Sequence, residues 1–288
     1  MANRRVLVKR RKSVRNIRKI TRTMQLIATA RFQAAFNRAV ATRPYTEKLA
    51  ELVADLSRAA GEVDHPLLKT HDEVPRSALV VLTSDRGLAG GYNANVLRTA
   101  VNHLEEQSAR GVTTDIHMVG KKGIAYFRFL RRAMDEQTSG IGDKPRFAQV
   151  EAIANGLMDR FVRGEIASAH VAYMRFLSAG QQRPAVVQLL PLAPETGGAK
   201  ATPVEYEFSP EPRQLLDELL PATVRARLFQ AFNDAAVSEQ VARMVAMKAA
   251  TDAAGDMIKA LTREYNRARQ TQITMELLDI VGGANALS

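Results

Sequence analysis

The first 43 residues contain no residue type that ends a helix, since proline first occurs at position 44 and glycine at position 61. Apolar or small side chains recur three and four residues apart. This spacing predicts one helix over residues 3–43, with a seam made of Val14, Ile17, Thr21, Met24 and Ala28, widened by Ile20 and Ile27. A kink at Pro44 would allow the helix to continue to residue 60. At about 1.5 Å per residue, residues 3–43 span ~60 Å, and only another long helix can bury so long a stripe.

The other end of the chain supplies a second long helix. Residues 222–281 contain no proline and a single glycine, Gly255. A near-heptad seam consists of Met257, Leu261, Tyr265, Ala268, Gln272 and Met275. The glycines at 282 and 283 predict the end of the helix. Two long helices at opposite ends of one chain predict an antiparallel coiled coil. Two ordinary helices of a globular bundle are the alternative, which the length disfavours because globular helices average about 11–12 residues.

Residues 75–209 consist of short apolar runs separated by glycine and proline. The runs predict strands at 77–83, 115–119, 170–177, 185–190 and 204–208, and helices at 93–110, 123–132 and 147–161. Alternating strands and helices are typical of an α/β domain. We therefore predict a mixed fold, in which a coiled coil from segments 1–60 and 210–288 is joined to a central α/β (Rossmann-like) domain at 75–209.

Positive charge is concentrated near the start of the chain. Residues 1–46 carry thirteen basic side chains and no acidic one, in a chain of net charge +11. We favour a basic helix that meets an acidic partner; a transit peptide and a solvated basic face without a partner are the alternatives. Cysteine is absent, which excludes disulfides and Cys-bound metals. No apolar run is as long as a membrane span, so we expect no direct insertion into a membrane.

Two glycine-containing turns are the candidates for nucleotide chemistry. Residues 84–95 (SDRGLAGGYNAN) and 120–123 (GKKG) each follow a predicted strand and precede a predicted helix, where α/β domains bind phosphate. Neither turn has the GxGxxG or GK[ST] pattern, so we favour structural turns. Asp85 and Arg86 are interpreted as a structural ion pair. The five histidines lack metal-ligand spacing. We predict no catalytic residue, no cofactor and no metal.

Five segments carry a resemblance to a known family. Residues 273–286 (ITMELLDIVGGANA), 243–252 (RMVAMKAATD) and 265–270 (YNRARQ) resemble motifs near the C-terminus of the γ subunit of rotary, F-type ATP synthases. Residues 17–24 (IRKITRTM) resemble the first-helix motif of that family, and the SDRGLAGG turn resembles its central-domain motif. The matches occur in the same order along the whole chain. Ala89 stands where many members have cysteine, and Arg31-Phe32 replaces the usual Lys-Met.

The resemblance implies a function as well as a fold. In this family the two terminal helices form an axle inside a ring of three α and three β subunits. The α/β domain lies near the ε subunit and the membrane ring of c subunits. Such a subunit is not an enzyme itself. It couples ion flow through the c ring to ATP synthesis or hydrolysis, and it is peripheral to the cytoplasmic side of the cell (inner) membrane or, alternatively, to an organelle inner membrane.

Seven partner contacts are implied by position in the family. Arg269, Gln270 and Thr274 match residues that touch loops of the β subunits, and Lys19, Arg22 and Met24 match the region near the lower edge of the ring. Tyr206, within residues 204–210, matches a region close to ε and the c ring. A basic nucleic-acid-binding protein and a nucleotide-using α/β enzyme are the rival functions. The first leaves the C-terminal motif unexplained, and the second needs a phosphate-binding loop that the sequence lacks.

Overall fold

The computed structural model describes residues 4–60, 65–71, 73–192 and 212–286. The elements in chain order are α1 (Arg4–Ala60), a 3₁₀ turn (Pro66–Leu68), β1 (Arg76–Leu82), α2 (Tyr92–Ala109), β2 (Thr113–Val119), α3 (Lys121–Phe129), β3 (Glu136–Thr138), α4 (Phe147–Val162), β4 (Ser168–Ser178), β5 (Gln181–Leu190) and α5 (Pro212–Ala286). The two long terminal helices and the central α/β segment are confirmed. The predicted strand at 204–208 lies outside the described residues.

Both long helices continue through a proline. Pro44 lies inside α1, and Pro221 lies inside α5, which therefore begins ten residues before the predicted start at 222. Leu216, Leu220 and Val224 form a fully buried stripe around Pro221. Burying each of them contributes about 1.5–3 kcal/mol, enough to outweigh the ~3 kcal/mol that an internal proline costs.

The predicted end of α5 at the paired glycines is wrong, because the helix continues through both to Ala286. A glycine inside a helix costs only about 1 kcal/mol relative to alanine. It ends a helix where it takes the left-handed conformation of a C-terminal cap, and a glycine pair permits that conformation without requiring it.

Five strands form one sheet in the order β3-β2-β1-β4-β5. β1 pairs in parallel with β2 and β4, β2 pairs in parallel with β3, and β5 pairs antiparallel with β4. The chain lies on one side of β1 in β2 and β3 and crosses to the other side in β4. The carboxyl end of β1 is therefore the topological switch point, where α/β sheets usually bind ligands. The sequence pattern missed β3 because it has only three residues, Glu136–Thr138, and none of them is apolar.

The sheet is covered on both faces. In β1, Leu79 and Val81 pack with α2 and α3, whereas Val80 and Leu82 pack with α4 and α5. This alternation follows from the two-residue period of a strand, and it explains why β1 reads as a continuous apolar run. The first half of α5 is thus one of the helical layers of the α/β domain.

Two compact units divide the chain. Residues 30–242 form the first, called the domain unit, and residues 1–29 with 243–288 form the second, called the helix-pair unit. Each long helix contributes to both units. The division predicted from the sequence, into segments 1–60, 75–209 and 210–288, stays a prediction. The boundaries of the two compact units fall inside α1 and α5.

The helix-pair unit is an antiparallel coiled coil. The hydroxyls of Thr21 and Thr251 lie 2.8 Å apart. Towards the start of α1, the Arg11 guanidinium lies 4.9 Å from the centre of the Tyr265 ring. Contacts that advance along α5 as they retreat along α1 define antiparallel helices. On α1 the most buried positions of this unit are seven residues apart, at Leu7, Thr21 and Ala28 with half-buried Val14 between them, as a heptad seam requires.

The phase of the seam differs in part from the prediction. Val14, Thr21 and Ala28 belong to the seam, but Ile17, Ile20 and Ile27 are 51%, 58% and 48% exposed. On α5, Leu261, Tyr265 and Ala268 are half-buried as predicted, while Met257 is exposed and its neighbour Ile258 takes the seam position. Small side chains such as those of threonine and alanine let the two backbones approach closely. The largest apolar side chains therefore do not occupy the seam positions.

Two histidine rings contact each other inside the domain unit, with their planes tilted by 55°. His103 on α2 and His170 on β4 have ring centroids 4.7 Å apart. Burial, together with the charge of His103, lowers the pKa of His170 to about 4. Burial also lowers the pKa of His103, although Glu106 opposes that shift. Both rings are therefore neutral in the folded protein at neutral pH.

From the His103–His170 pair we predict that the folded protein loses stability in mild acid. The pKa of His170 is about 4 when folded and near 6.5 when unfolded. The unfolded chain therefore binds the extra proton first, and the stabilisation present above pH ~6.5 is lost as the pH falls towards ~4. The difference corresponds to about 3 kcal/mol. Urea unfolding of the parental chain and of His170→Gln between pH 7 and 4 should give a flatter pH profile for the variant; parallel profiles would rule the pair out.

Candidate functional site

A crevice at the carboxyl end of β1, beside the switch point between β1 and β4, is filled by the chain itself. It lies between the ends of β1 and β2, the residues around Gly140 and Gly142, and one face of α5. Phe232, Ala235, Ala236 and Glu239 from α5 line it, and the remaining cavity volume is about 30 Å³. Small-molecule sites usually measure about 300–1,000 Å³. A nucleotide therefore does not fit this crevice as α5 occupies it.

The SDRGLAGG turn is held by its own polar side chains. The Ser84 hydroxyl donates to the Arg86 carbonyl oxygen at 2.6 Å, and the Ser84 backbone N–H donates to Asn93 Oδ1 at 3.0 Å. The two Asp85 carboxylate oxygens accept from the backbone N–H groups of Lys121 at 3.1 Å and Gly140 at 2.9 Å. The interpretation of Asp85 as an ion pair with Arg86 is thus replaced: its carboxylate joins this turn to two other loops.

The GKKG turn needs its glycines for close packing. Gly120 has a φ of +98°, and a Cβ atom there would lie 2.1 Å from the backbone oxygen of Thr83. A Cβ atom on Gly123 would lie 2.3 Å from the sulfur of Met118. The Thr83 hydroxyl fills the remaining space and accepts a hydrogen bond from the Gly123 N–H at 3.0 Å. Both glycines serve contact between β1 and α3, as expected for structural turns.

The residues implied near the ring's lower edge lie on the middle of the α1 segment in the helix-pair unit. Lys19 and Arg22 are exposed, and Arg22 donates to Gln25 Oε1 at 3.2 Å. Met24 is half-buried on the side of the seam. Ile17 and Ile20 are exposed beside them, so this part of α1 presents both cations and large apolar side chains to its surroundings.

The residues implied to touch the β subunits lie farther along α5. Arg269, Gln270 and Thr274 are all exposed. Gln270 follows Thr251, the partner of Thr21, by 19 residues, which is about 28 Å of helix. The structure therefore separates the Arg269–Gln270–Thr274 patch from Lys19 and Arg22 and arranges the two sets at different levels of one helix pair. Tyr206 lies outside the described residues.

The last turns of α5 form a feature that the sequence reading missed. The Arg11 guanidinium lies over the Tyr265 ring, and the described part of α1 begins at Arg4, so among the described residues the antiparallel pairing extends to about residue 272 of α5. Beyond that point six apolar side chains are 43–68% exposed: Ile273, Met275, Leu277, Leu278, Ile280 and Val281. Successive residues are about 100° apart around a helix, so these side chains cover roughly 220° of its circumference, and Glu276 and Asp279 occupy the remaining side. We call residues 273–281 the apolar tip. Comparing the lengths of the two helices against an antiparallel register would have located it.

No helix among the described residues is long and apolar enough to cross a bilayer. The apolar tip is short, and it also carries Glu276 and Asp279. Its exposed apolar surface therefore fits a protein partner better than the hydrocarbon core of a membrane, in which an ionised carboxylate is costly.

Comparisons with known proteins cover the chain from end to end. The model of a family described as ATP synthase matches residues 3–287. A protein named ATP synthase gamma chain from Rhodopirellula baltica is 44% identical over 294 residues, covering 100% of this chain and 99% of that protein. One of the same name from Leptospira biflexa is 39% identical and covers 100% of both. The chain belongs to the ATP synthase gamma chain family.

Solved structures agree in fold with this member of the gamma chain family. A chain in the cryo-EM structure of the Euglena gracilis mitochondrial ATP synthase, described as OSCP/F1/c-ring, has a TM-score of 0.67 at 18% identity, covering 99% of this chain and 94% of that one. A chain from the central stalk and c-ring of the Tetrahymena thermophila enzyme has a TM-score of 0.56 at 20% identity, covering 80% of this chain and 99% of that one. At these identities the likeness concerns the fold alone.

The two turns of this gamma chain family member lead to a stability prediction. Gly120→Ala should lower the free energy of unfolding by about 3 kcal/mol or more, because the added methyl meets rigid backbone and the φ is positive. Gly156→Ala is the matched control: it lies inside α4 with nothing within 4 Å of an added Cβ, and it should raise stability by about 0.5–1 kcal/mol. Chemical denaturation of both variants tests this, and equal effects would contradict it.

Proposed function

We propose that this chain is the central rotor shaft of an ATP synthase, coupling ion flow through a membrane ring to ATP synthesis or hydrolysis in α and β subunits. The apolar tip is the observation that carries the proposal. Apolar side chains over more than half of a helix's circumference form a wider stripe than a single partner helix buries, and they call for a sleeve of partner surfaces that covers most of the tip. Membership of the gamma chain family supports the same proposal.

The energetics favour a bound tip. The six apolar side chains of the tip are 43–68% exposed. Covering such half-exposed side chains contributes on the order of 1 kcal/mol each. Apolar contact is non-directional, so a sleeve can hold the tip without fixing its angle. A rotating shaft needs that property at its bearing.

Coupling requires contacts that do depend on angle. Arg269 and Gln270 stand just before the tip and Thr274 lies in its first turn, where a guanidinium, an amide and a hydroxyl can bond carboxylates and carbonyls on loops of β subunits. As the shaft turns, each β subunit meets this patch in sequence. A contact present at one angle and absent at another stabilises one β conformation over the others, so nucleotide affinity changes in turn.

The remaining proposed contacts follow the same logic. Lys19, Arg22 and Met24 would meet the lower edge of the catalytic head, where the cations of α1 suit acidic partner loops. Tyr206 would lie close to ε and the c ring. The chain itself would hold no catalytic residue, which the filled crevice supports. It would be peripheral to the coupling membrane, on the cytoplasmic side of a cell membrane or in the corresponding position in an organelle.

Co-purification tests the proposal directly. A tagged chain expressed in its native host should bring down ATP-hydrolysing α and β subunits together with ε. A variant with Leu277→Asp and Ile280→Asp should give a complex that dissociates at a lower temperature, because charges enter the sleeve. A chain that recovers nucleic acid instead, with an affinity that falls steeply with salt, would replace the proposal with its rival.

The polar patch leads to a separate prediction in the assembled complex. Arg269→Ala should lower ATP hydrolysis several-fold, because the β loops lose a charge-assisted contact, and a loss of about 1 kcal/mol in the rate-limiting state slows turnover about fivefold. The chain's own stability should change by no more than about 0.5 kcal/mol, because Arg269 is exposed. Arg263→Ala, an exposed arginine on the same helix, is the control and should turn over at the parental rate. Parental turnover for Arg269→Ala would remove this patch from the coupling contacts.

A further inference from the structure

One residue of the β3–α4 loop (residues 139–146) is bonded to both long helices. All the groups concerned belong to the domain unit. Asp143 Oδ2 accepts a hydrogen bond from the Arg31 guanidinium on α1. Its Oδ1 accepts from Gln240 Nε2 on α5 at 2.6 Å, and its backbone oxygen accepts from Arg38 Nη2 on α1 at 2.7 Å. Arg31 and Arg38 are seven residues apart and therefore share one face of α1.

The same loop is also fastened to the sheet. The Gly140 N–H donates to the Asp85 carboxylate at 2.9 Å, at the end of β1. The Gly120 N–H donates to the Thr138 carbonyl oxygen at 2.8 Å, and Ile141 packs against the apolar core. Only Ile141 and Gly142 separate the residue bonded to the sheet side from the residue bonded to the helices. The loop is therefore a short link between the sheet and the parts of α1 and α5 that belong to the domain unit.

At the same level the helices also meet the sheet through an apolar cluster and through Ser238 of α5, whose hydroxyl donates to the Met174 carbonyl oxygen of β4 at 3.1 Å. Phe32 and Phe36 of α1 and Val237 and Val241 of α5 pack around Phe176 of β4. Apolar packing resists separation but has no preferred direction, so it opposes sliding and turning of one surface on another only weakly. Hydrogen bonds to a charged group are directional and oppose both. Asp143 thus adds directional bonds to both α1 and α5 beyond the apolar cluster and the Ser238 bond.

We propose that Asp143 is a positioning residue that transmits turning force between the α/β sheet and the two long helices. The proposal rests on the proposed rotor function. By bonding α1 at Arg31 and Arg38 and α5 at Gln240, Asp143 prevents either helix from rotating about its own axis or sliding along its neighbour when the sheet is loaded. Its side chain is 25% exposed and that of Arg31 is 37% exposed, so solvent screens their ion pair only in part.

The test compares coupling with hydrolysis in membrane vesicles that carry the assembled complex. Asp143→Asn keeps the shape but removes the negative charge and replaces one of the two acceptor oxygens by an amide donor, which then faces the donor of either Arg31 or Gln240. We expect ATP hydrolysis within twofold of the parental rate and a several-fold fall in membrane potential generated per ATP hydrolysed, read with a potential-sensitive dye. Asp143→Glu, which keeps the carboxylate, should retain more of the coupling than Asp143→Asn.

Asp135→Asn is the matched control. Asp135 also lies in the domain unit, and its Oδ2 accepts from the Ile116 N–H at 2.8 Å within the sheet, without contact to either long helix. This variant should lose some stability while keeping the parental ratio of potential to hydrolysis. Parental coupling in Asp143→Asn would overturn the proposal, and so would an equal loss of coupling in the two variants, since that result would indicate a purely structural role.

Two further variants keep the test decisive if Asp143→Asn does not assemble. Arg31→Ala and Gln240→Ala each remove one bond to Asp143, and each should lower coupling by a smaller factor than losing both. Parental coupling in both variants would overturn the proposal. Recovery of α and β subunits with the tagged parental chain is measured first. Its absence would overturn the rotor function itself, which is a different outcome from intact assembly with unchanged coupling.

Discussion

The fold depends on the close approach of two long helices in an antiparallel heptad register. Thr21 against Thr251 and the small seam residue Ala28 show how that register is built: by residue size as much as by apolarity. Because the seam uses small side chains, the larger ones at Ile17 and Ile20 are left on the outside. The chain thus carries apolar and cationic groups on a surface that a solitary protein would not expose, and an interaction with other subunits follows from the same register that holds the helices together.

Helix α5 serves three purposes along its length. Its first half covers one face of the sheet through Leu216 and Leu220, and Phe232 and Ala235 then fill the crevice where a related topology would bind a nucleotide. Farther on, the helix becomes half of the coiled coil, and it ends in the apolar tip. The chain therefore has an α/β architecture in which a helix of the same chain occupies this crevice. This arrangement suits a subunit that acts on nucleotide sites in other subunits.

The sequence predicted the elements better than the contacts between them. Helical periodicity located both long helices, because burial on one face places apolar residues three and four positions apart. Short apolar runs located four of the five strands. It misplaced Ile17 and Met257, since a pattern of apolar residues does not distinguish a narrow seam from a second exposed surface. The helix was predicted to begin after Pro221, so the sequence pattern missed the first turns of α5. Asp143 and its partners lie about a hundred residues apart in sequence, and no local pattern predicts a hydrogen bond over such a separation. The family motifs implied positions for partner contacts, and these stay predictions.

Under the proposed function, the distribution of interactions along the helices matches the work that each level performs. At the apolar tip, non-directional contact holds the shaft in place and opposes rotation less than directional bonds would. At Arg269, directional polar groups make each angle energetically different, which nucleotide sites need if they are to change in turn. At Asp143, charge-assisted bonds join the sheet to both helices, so turning force is transmitted and not lost to slippage. Directional bonds all around the tip would oppose rotation, and purely apolar contact at the sheet would oppose slippage only weakly. The proposed rotary coupling therefore favours mainly apolar contact at the tip and charge-assisted bonds at the sheet.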